Sequence, residues 1–208
     1  MITNALNRLA ETSAKKSHSS LPKKDVNLNN KNLTLLEDYP DTIKGFFSVN
    51  FNKLTSLKGA PKTLVAGNFY CLSNLLESLL GAPKRVGGHF LCSDNKISSL
   101  KGCSEKIVGD FTCSHNKLTS LEYSPKKLGG SYDCSYNELV TLKGCTEVIQ
   151  DTFNCSNNNL TSLNGAPKIV DGNFHCSNNK VKFTEAQVRQ VCKVKGRSEE
   201  RRVGKECW

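Results

Sequence analysis

One tryptophan, one methionine and four histidines occur in 208 residues, and only 7% of the chain is aromatic. Such scattered histidines offer little material for acid–base or metal chemistry. Ten cysteines are present but no Cys-x-x-Cys pair, which removes the close ligand spacing usual in structural zinc sites. A phosphate-binding glycine loop, a Gly-x-Ser-x-Gly turn and a His-Glu-x-x-His helix are missing too. The expectation is a non-enzyme without cofactor or metal. No apolar run approaches the length needed to cross a bilayer. The opening MITNALNRLAETSAKKSHSS lacks the continuous apolar stretch of a signal peptide. These absences lead to an expected cytoplasmic location, where cysteines stay reduced.

The dominant feature of the chain is a repeat. Cys71, Cys92, Cys113, Cys134, Cys155 and Cys176 follow one another every 21 residues. An aromatic residue stands two places before each of them (Phe69, Phe90, Phe111, Tyr132, Phe153, Phe174). An asparagine stands three places after (Asn74, Asn95, Asn116, Asn137, Asn158, Asn179). The full unit reads roughly Val-x-Gly-x-Phe-x-Cys-Ser-x-Asn-x-Leu-Thr-Ser-Leu-x-Gly-Ala-Pro-Lys. Two weaker units precede it, with Leu28 and Val49 in the cysteine position, making eight between about residues 26 and 183. A period of 21 is too short for a helix pair and suits one short strand with a tight return. Alternation along a strand turns Phe and Cys inward together, so the cysteines are expected to fill a core slot. The asparagines read as turn devices whose amides bond backbone groups left unpaired by the coil. One unit buries too little to offset the ordering of its own backbone, so neighbours must share core and hydrogen bonds.

Phe-x-Cys-Ser-x-Asn-x-Leu resembles the Leu-x-Leu-x-x-Asn-x-Leu core of leucine-rich repeats. The Leu-x-Gly-Ala-Pro return resembles the short repeats of bacterial proteins of that family and of their phage-encoded relatives. The resemblance implies an α/β solenoid of eight short parallel strands with a capping helix, a regular β-solenoid being the alternative. It also implies a bacterial or phage origin (the host cytoplasm in the latter case) and protein recognition as the class of function. A departure from that family is Val or Leu four residues before the aromatic rather than three.

Two outward series follow from the strand alternation. One precedes each cysteine by a single place: Tyr70, Leu91, Thr112, Asp133, Asn154 and His175. The other precedes it by three: Asn68, His89, Asp110, Ser131, Thr152 and Asn173. Their letters vary while the inward letters hold, as on a rigid scaffold displaying a recognition surface; free drift of unconstrained positions would look the same. Tyr70, His89 and Leu91 are the most interface-like. A formal charge of +10 and a lysine-rich return (Lys58, Lys62, Lys84, Arg85, Lys101, Lys126, Lys127, Lys143, Lys168), interrupted by Glu105, Glu122 and Glu147 and without aromatic platforms, support nucleic-acid binding as the alternative. A purely structural module is a third reading. The leading expectation is a monomer that binds an unidentified protein through its strand face, with no membrane association.

Segment limits follow from the same patterns. Residues 1–24 are Ser- and Lys-rich and expected to be partly disordered, and 25–183 form the solenoid. Residues 184–196 are expected to form a capping helix opened by a Thr184-x-x-Gln187 capping box. RSEERRVGKEC, residues 197–207, follows no earlier pattern and looks like the translation of a common sequencing adapter. Residues 197–208 are therefore expected to be a non-native tail, with the natural C-terminus lost.

Overall fold

The computed structural model describes residues 24–198, and the chain in that span is a parallel β-solenoid of eight turns with one short helix. The expected partial disorder of the N-terminal segment and most of the adapter-like tail lie outside the described residues.

Each full coil carries two short strands where the repeat suggested one. Phe111–Thr112 belongs to a first sheet and Lys106–Ile107 to a second. The aromatic residue of every unit stacks on that of the next, from Phe47 through Phe69, Phe90, Phe111, Tyr132 and Phe153 to Phe174, in an eight-stranded parallel sheet begun by Val26. The apolar residue four places before the aromatic is the second residue of each second-sheet strand. Ile43, Val65, Val86, Ile107, Leu128, Ile149 and Val170 are all buried there. In every one of these coils but the one with Asp151, a glycine between the two strands turns the chain, and the turn accounts for the departure from leucine-rich repeat spacing. The second sheet is recorded in two parts, five strands from Thr42–Ile43 to Lys127–Leu128, then Val148–Ile149, Ile169–Val170 and Lys193–Val194. Coils are numbered one to eight by their first-sheet strands, so that coil six contains Tyr132 and coil seven Phe153.

Aromatic rings form a continuous file inside, with centroids 5.5 Å apart for Phe90 and Phe111 and 5.1 Å for Phe111 and Tyr132. Tyr132 fits among phenylalanines because its hydroxyl meets the Ser124 hydroxyl at 2.9 Å. The cysteines form the next file. Cys92 and Cys134 donate weakly to the carbonyls of Thr112 and Asn154, at 3.4 and 3.3 Å. All cysteines among the described residues are free thiols.

The asparagine file closes the turn after the first sheet. Asn116 Nδ2 lies 3.1 Å from the carbonyl oxygens of Cys92, Cys113 and Ser114, and Asn116 Oδ1 accepts the Ile97 amide at 3.0 Å. This bonding holds the preceding residue in the left-handed region. His115, Tyr136 and Asn157 have φ of 53°, 53° and 56°, a conformation that costs an ordinary side chain about 1–2 kcal/mol.

The expected helix is present as Glu185–Val191, with both bonds of the Thr184–Gln187 capping box formed. Residues 193–196 are not part of it. Lys193–Val194 pairs in parallel with Ile169–Val170, because Val194-Lys195-Gly196 repeats the Val-x-Gly phrase. The helix thus replaces the tight return of coil eight, and the chain then rejoins the stack. Arg189 clasps the rejoining strand, donating to the carbonyls of Val194 at 2.7 Å and Gly196 at 3.2 Å. Arg197 and Ser198, the first residues of the adapter-like stretch, continue this layer beside Phe174.

Candidate functional site

Both outward series are placed by the corner between the sheets, and they have different surroundings. Tyr70, Leu91, Thr112, Asp133, Asn154 and His175 lie in register on the outer face of the first sheet, half-buried by their neighbours. Asp133 and Asn154 turn back to accept the amides of Ser135 and Ser156, at 2.9 and 3.1 Å. Tyr70 and Leu91 remain as an adjacent apolar pair. Leu72 joins them by standing in a file otherwise held by Asn29, Asn50 and then serines, where Ser93 and Ser114 share a 2.9 Å hydrogen bond. Phe51, 55% exposed, flanks this cluster and bonds through its amide to the Leu72 carbonyl.

Asn68, His89, Asp110, Ser131, Thr152 and Asn173 sit at the corner itself, and five of them serve the scaffold. Asn68 Oδ1 accepts the His89 amide at 2.8 Å, and His89 Nδ1 accepts that of Asp110 at 3.0 Å. Asp110 Oδ1 takes the Ser131 amide, Ser131 Oγ that of Thr152, and Asn173 Oδ1 that of Arg197. His89 Nδ1 also lies 3.0 Å from Asp110 Oδ2.

On the second sheet the expected lysine-rich edge divides in two. Lys84, Glu105, Lys126, Glu147 and Lys168 form a file of alternating sign, with Lys126–Glu105 at 3.9 Å and Lys168–Glu147 at 2.7 Å. Farther round the return, Lys143 pairs with Glu122 at 3.3 Å. Such exposed pairs add little stability, but they offset part of the charge of the edge. One residue inward the pattern changes. Arg85, Lys106 and Lys127 are exposed, directly in register, and make no ion pair among the described residues.

Two breaks in the repeat fall beside Lys127. The Val-x-Gly glycine recurs as Gly45, Gly67, Gly88, Gly109, Gly130, Gly172 and Gly196, but coil seven has Asp151. A β-carbon on Gly88 or Gly130 would lie 2.1 or 2.2 Å from Asn68 Oδ1 or Asp110 Oδ1 of the preceding coil. Coil six presents the shorter Ser131 instead, whose hydroxyl donates to Asp151 Oδ2 at 2.9 Å. Here the second sheet opens. The Val148 and Gln150 amides have no backbone acceptor among the described residues of coil six. A groove of about 550 Å³ lies along the seam, lined among others by Ser124, Lys126, Lys127, Thr146 and Gln150.

The second break is Tyr123. The return glycines Gly59, Gly81, Gly102, Gly144 and Gly165 all have φ between 83° and 96°, and Tyr123 takes their place at φ 69° with 60% of its surface exposed. The expectation of a return without aromatic residues is corrected by this residue. Lys106, Tyr123 and Asp151 were overlooked in the sequence; lining up the units by column exposes the last two as exceptions among the glycines that follow coil one.

Among the described residues, no three His, Cys, Asp or Glu side chains come together in a group able to hold a metal ion. Burial raises the thiol pKa of Cys71, Cys92, Cys113, Cys134 and Cys155, so these sulfurs are poor ligands and poor nucleophiles. No described helix is long and apolar enough to cross a membrane. The fold defines a repeat solenoid protein with two ladder-built faces. No family model matches the chain, and no curated protein or solved structure matches it either.

Proposed function

We propose that this solenoid is a non-catalytic recognition module that binds another protein through the outer face of its first sheet. The observation that carries the reading is the apolar cluster of Phe51, Tyr70, Leu72 and Leu91, set on a hydrogen-bonded ladder whose other outward positions are polar. Rigid ladders display side chains without an ordering cost on binding, and aromatic anchors dominate interfaces of this kind. The Phe-x-Cys-Ser-x-Asn-x-Leu repeat supports kinship with short leucine-rich repeats of bacterial and phage proteins. The reduced thiols are compatible with a cytoplasmic setting, and the partner would be taken up by a monomer.

The test is capture from nuclease-treated bacterial lysate with a high-salt wash, using the chain and its Tyr70→Ala/Leu91→Asp variant. The expected result is a protein retained through the wash by the parent chain and lost with the variant, at a similar Tm. Capture of the same proteins by both would sink this assignment of the surface.

A further inference from the structure

The second sheet presents a separate surface, and its chemistry suits a different ligand. Like charges directly opposite one another on adjacent strands are destabilising. The file from Lys84 to Lys168 alternates sign, yet within the same coils Arg85, Lys106 and Lys127 stack cation on cation without an acidic partner. Leu64 and Val148 end the row on either side. With parallel strands about 4.8 Å apart, the three charges run in a straight line roughly 10 Å long. Glu105 and Glu147, the carboxylates beside this row, belong to the neighbouring file and are engaged there with Lys126 and Lys168.

The row ends at the seam, where the Asp151 and Tyr123 exceptions to the glycine columns are found. Lys127 lines the groove, and the Val148 and Gln150 amides border it without acceptors in coil six. Tyr123, one residue before the groove-lining Ser124, is held exposed in a conformation that disfavours bulky side chains. Local rules broken without a packing gain tend to mark functional positions.

We propose that this surface binds the backbone of a single-stranded nucleic acid, with phosphates along Arg85, Lys106 and Lys127 and one base stacked on Tyr123. A line of cations beside an exposed aromatic ring is the combination that single strands use. A duplex offers two backbones about 12 Å apart across its major groove, whereas the files on either side of this row are charge-alternating or held by Gly87, Val108 and Gly129. The contacts assigned are to backbone phosphates and one ring face, so binding is expected to be indifferent to sequence.

Fluorescence anisotropy with a labelled twelve-residue oligothymidylate tests this on the full chain. The variant Arg85→Ser/Lys106→Ser/Lys127→Ser should bind at least tenfold more weakly in 50 mM salt. It should also flatten the slope of log K against log salt by about 2, as three phosphate contacts on a single strand require. Changing Lys84→Ser and Lys168→Ser in the alternating file should alter affinity less than twofold. Tyr123→Gly should weaken binding about tenfold while raising Tm, a pairing that a merely structural tyrosine would not produce. Unchanged binding by the triple variant overturns the proposal, as does unchanged binding by Tyr123→Gly. Equal binding of a duplex or of inorganic polyphosphate overturns the assignment to a single strand.

Discussion

Ser131 donates its hydroxyl to Asp151 across 2.9 Å, and among coils two to eight the pair occupies the one corner where a side chain replaces glycine. Ser131 is short enough to leave room for the Asp151 β-carbon, and its hydroxyl then satisfies the carboxylate. Changing Ser131→Asn together with Asp151→Gly restores the arrangement of the neighbouring coils. The second-sheet bonds across the seam should then form. Hydrogen exchange at Val148 and Gln150 should slow at least tenfold, with stability rising by about 1–2 kcal/mol from two net hydrogen bonds. Unaltered exchange would show that Asp151 is not what keeps the seam open.

The asparagine file is the main polar support of the turns. Asn116→Ala removes the acceptor of the Ile97 amide and the donor to three carbonyls. Leaving these buried groups unpaired should cost about 2–4 kcal/mol in urea denaturation, one or two penalties of the usual size. A loss below about 1 kcal/mol would mean that water replaces the amide at little cost.

Phe111 is fully buried between the rings of Phe90 and Tyr132. Phe111→Ala should destabilise the chain by about 3–5 kcal/mol. Val108→Ala, at an exposed position of the same coil, should change it by less than about 0.5 kcal/mol. Comparable losses for the two would contradict the inward assignment.

Alkaline pH should weaken the fold through its thiols. Burial raises the pKa of Cys92, Cys113, Cys134 and Cys155 in the folded state, while in the unfolded chain they ionise near ~8.5. Above that pH the folded state holds more protons, so stability falls as pH rises, by up to about 1.4 kcal/mol per unit for each shielded thiol. Below it the thiols contribute no pH dependence. Urea midpoints at pH 7.5 and 9.5 under reducing conditions should differ clearly, and a Cys134→Ala variant should show a shallower decline. A flat profile would show the thiols to be open to solvent in the fold.

The inward architecture was legible in the sequence because a stack repeats its local burial pattern at every layer. Phe111, Cys113, Asn116, Leu118 and Leu121 could be assigned from spacing alone, and the asparagine's turn role followed from its chemistry. The second sheet was harder to see. Its strands are two residues long, and the Val-x-Gly phrase gives too short an alternation to separate a strand from a return. For the same reason Lys193–Val194 was read as part of a helix, although it repeats that phrase.

Repeat length, the inward columns and the chemistry of each turn were determined by the sequence itself, since they depend on periodicity and on side-chain preferences within a single unit. Neighbour relations were decided only by the tertiary structure. Arg85, Lys106 and Lys127 lie 21 residues apart in the chain and one strand apart in space, so their shared charge appears only when the coils stack. Stacking likewise commits His89 and Asp110 to the backbone of the next coil and leaves Tyr70 and Leu91 side by side on the outer face. Lateral hydrogen bonding fixes that register, and with it which variable residues become scaffold and which become surface.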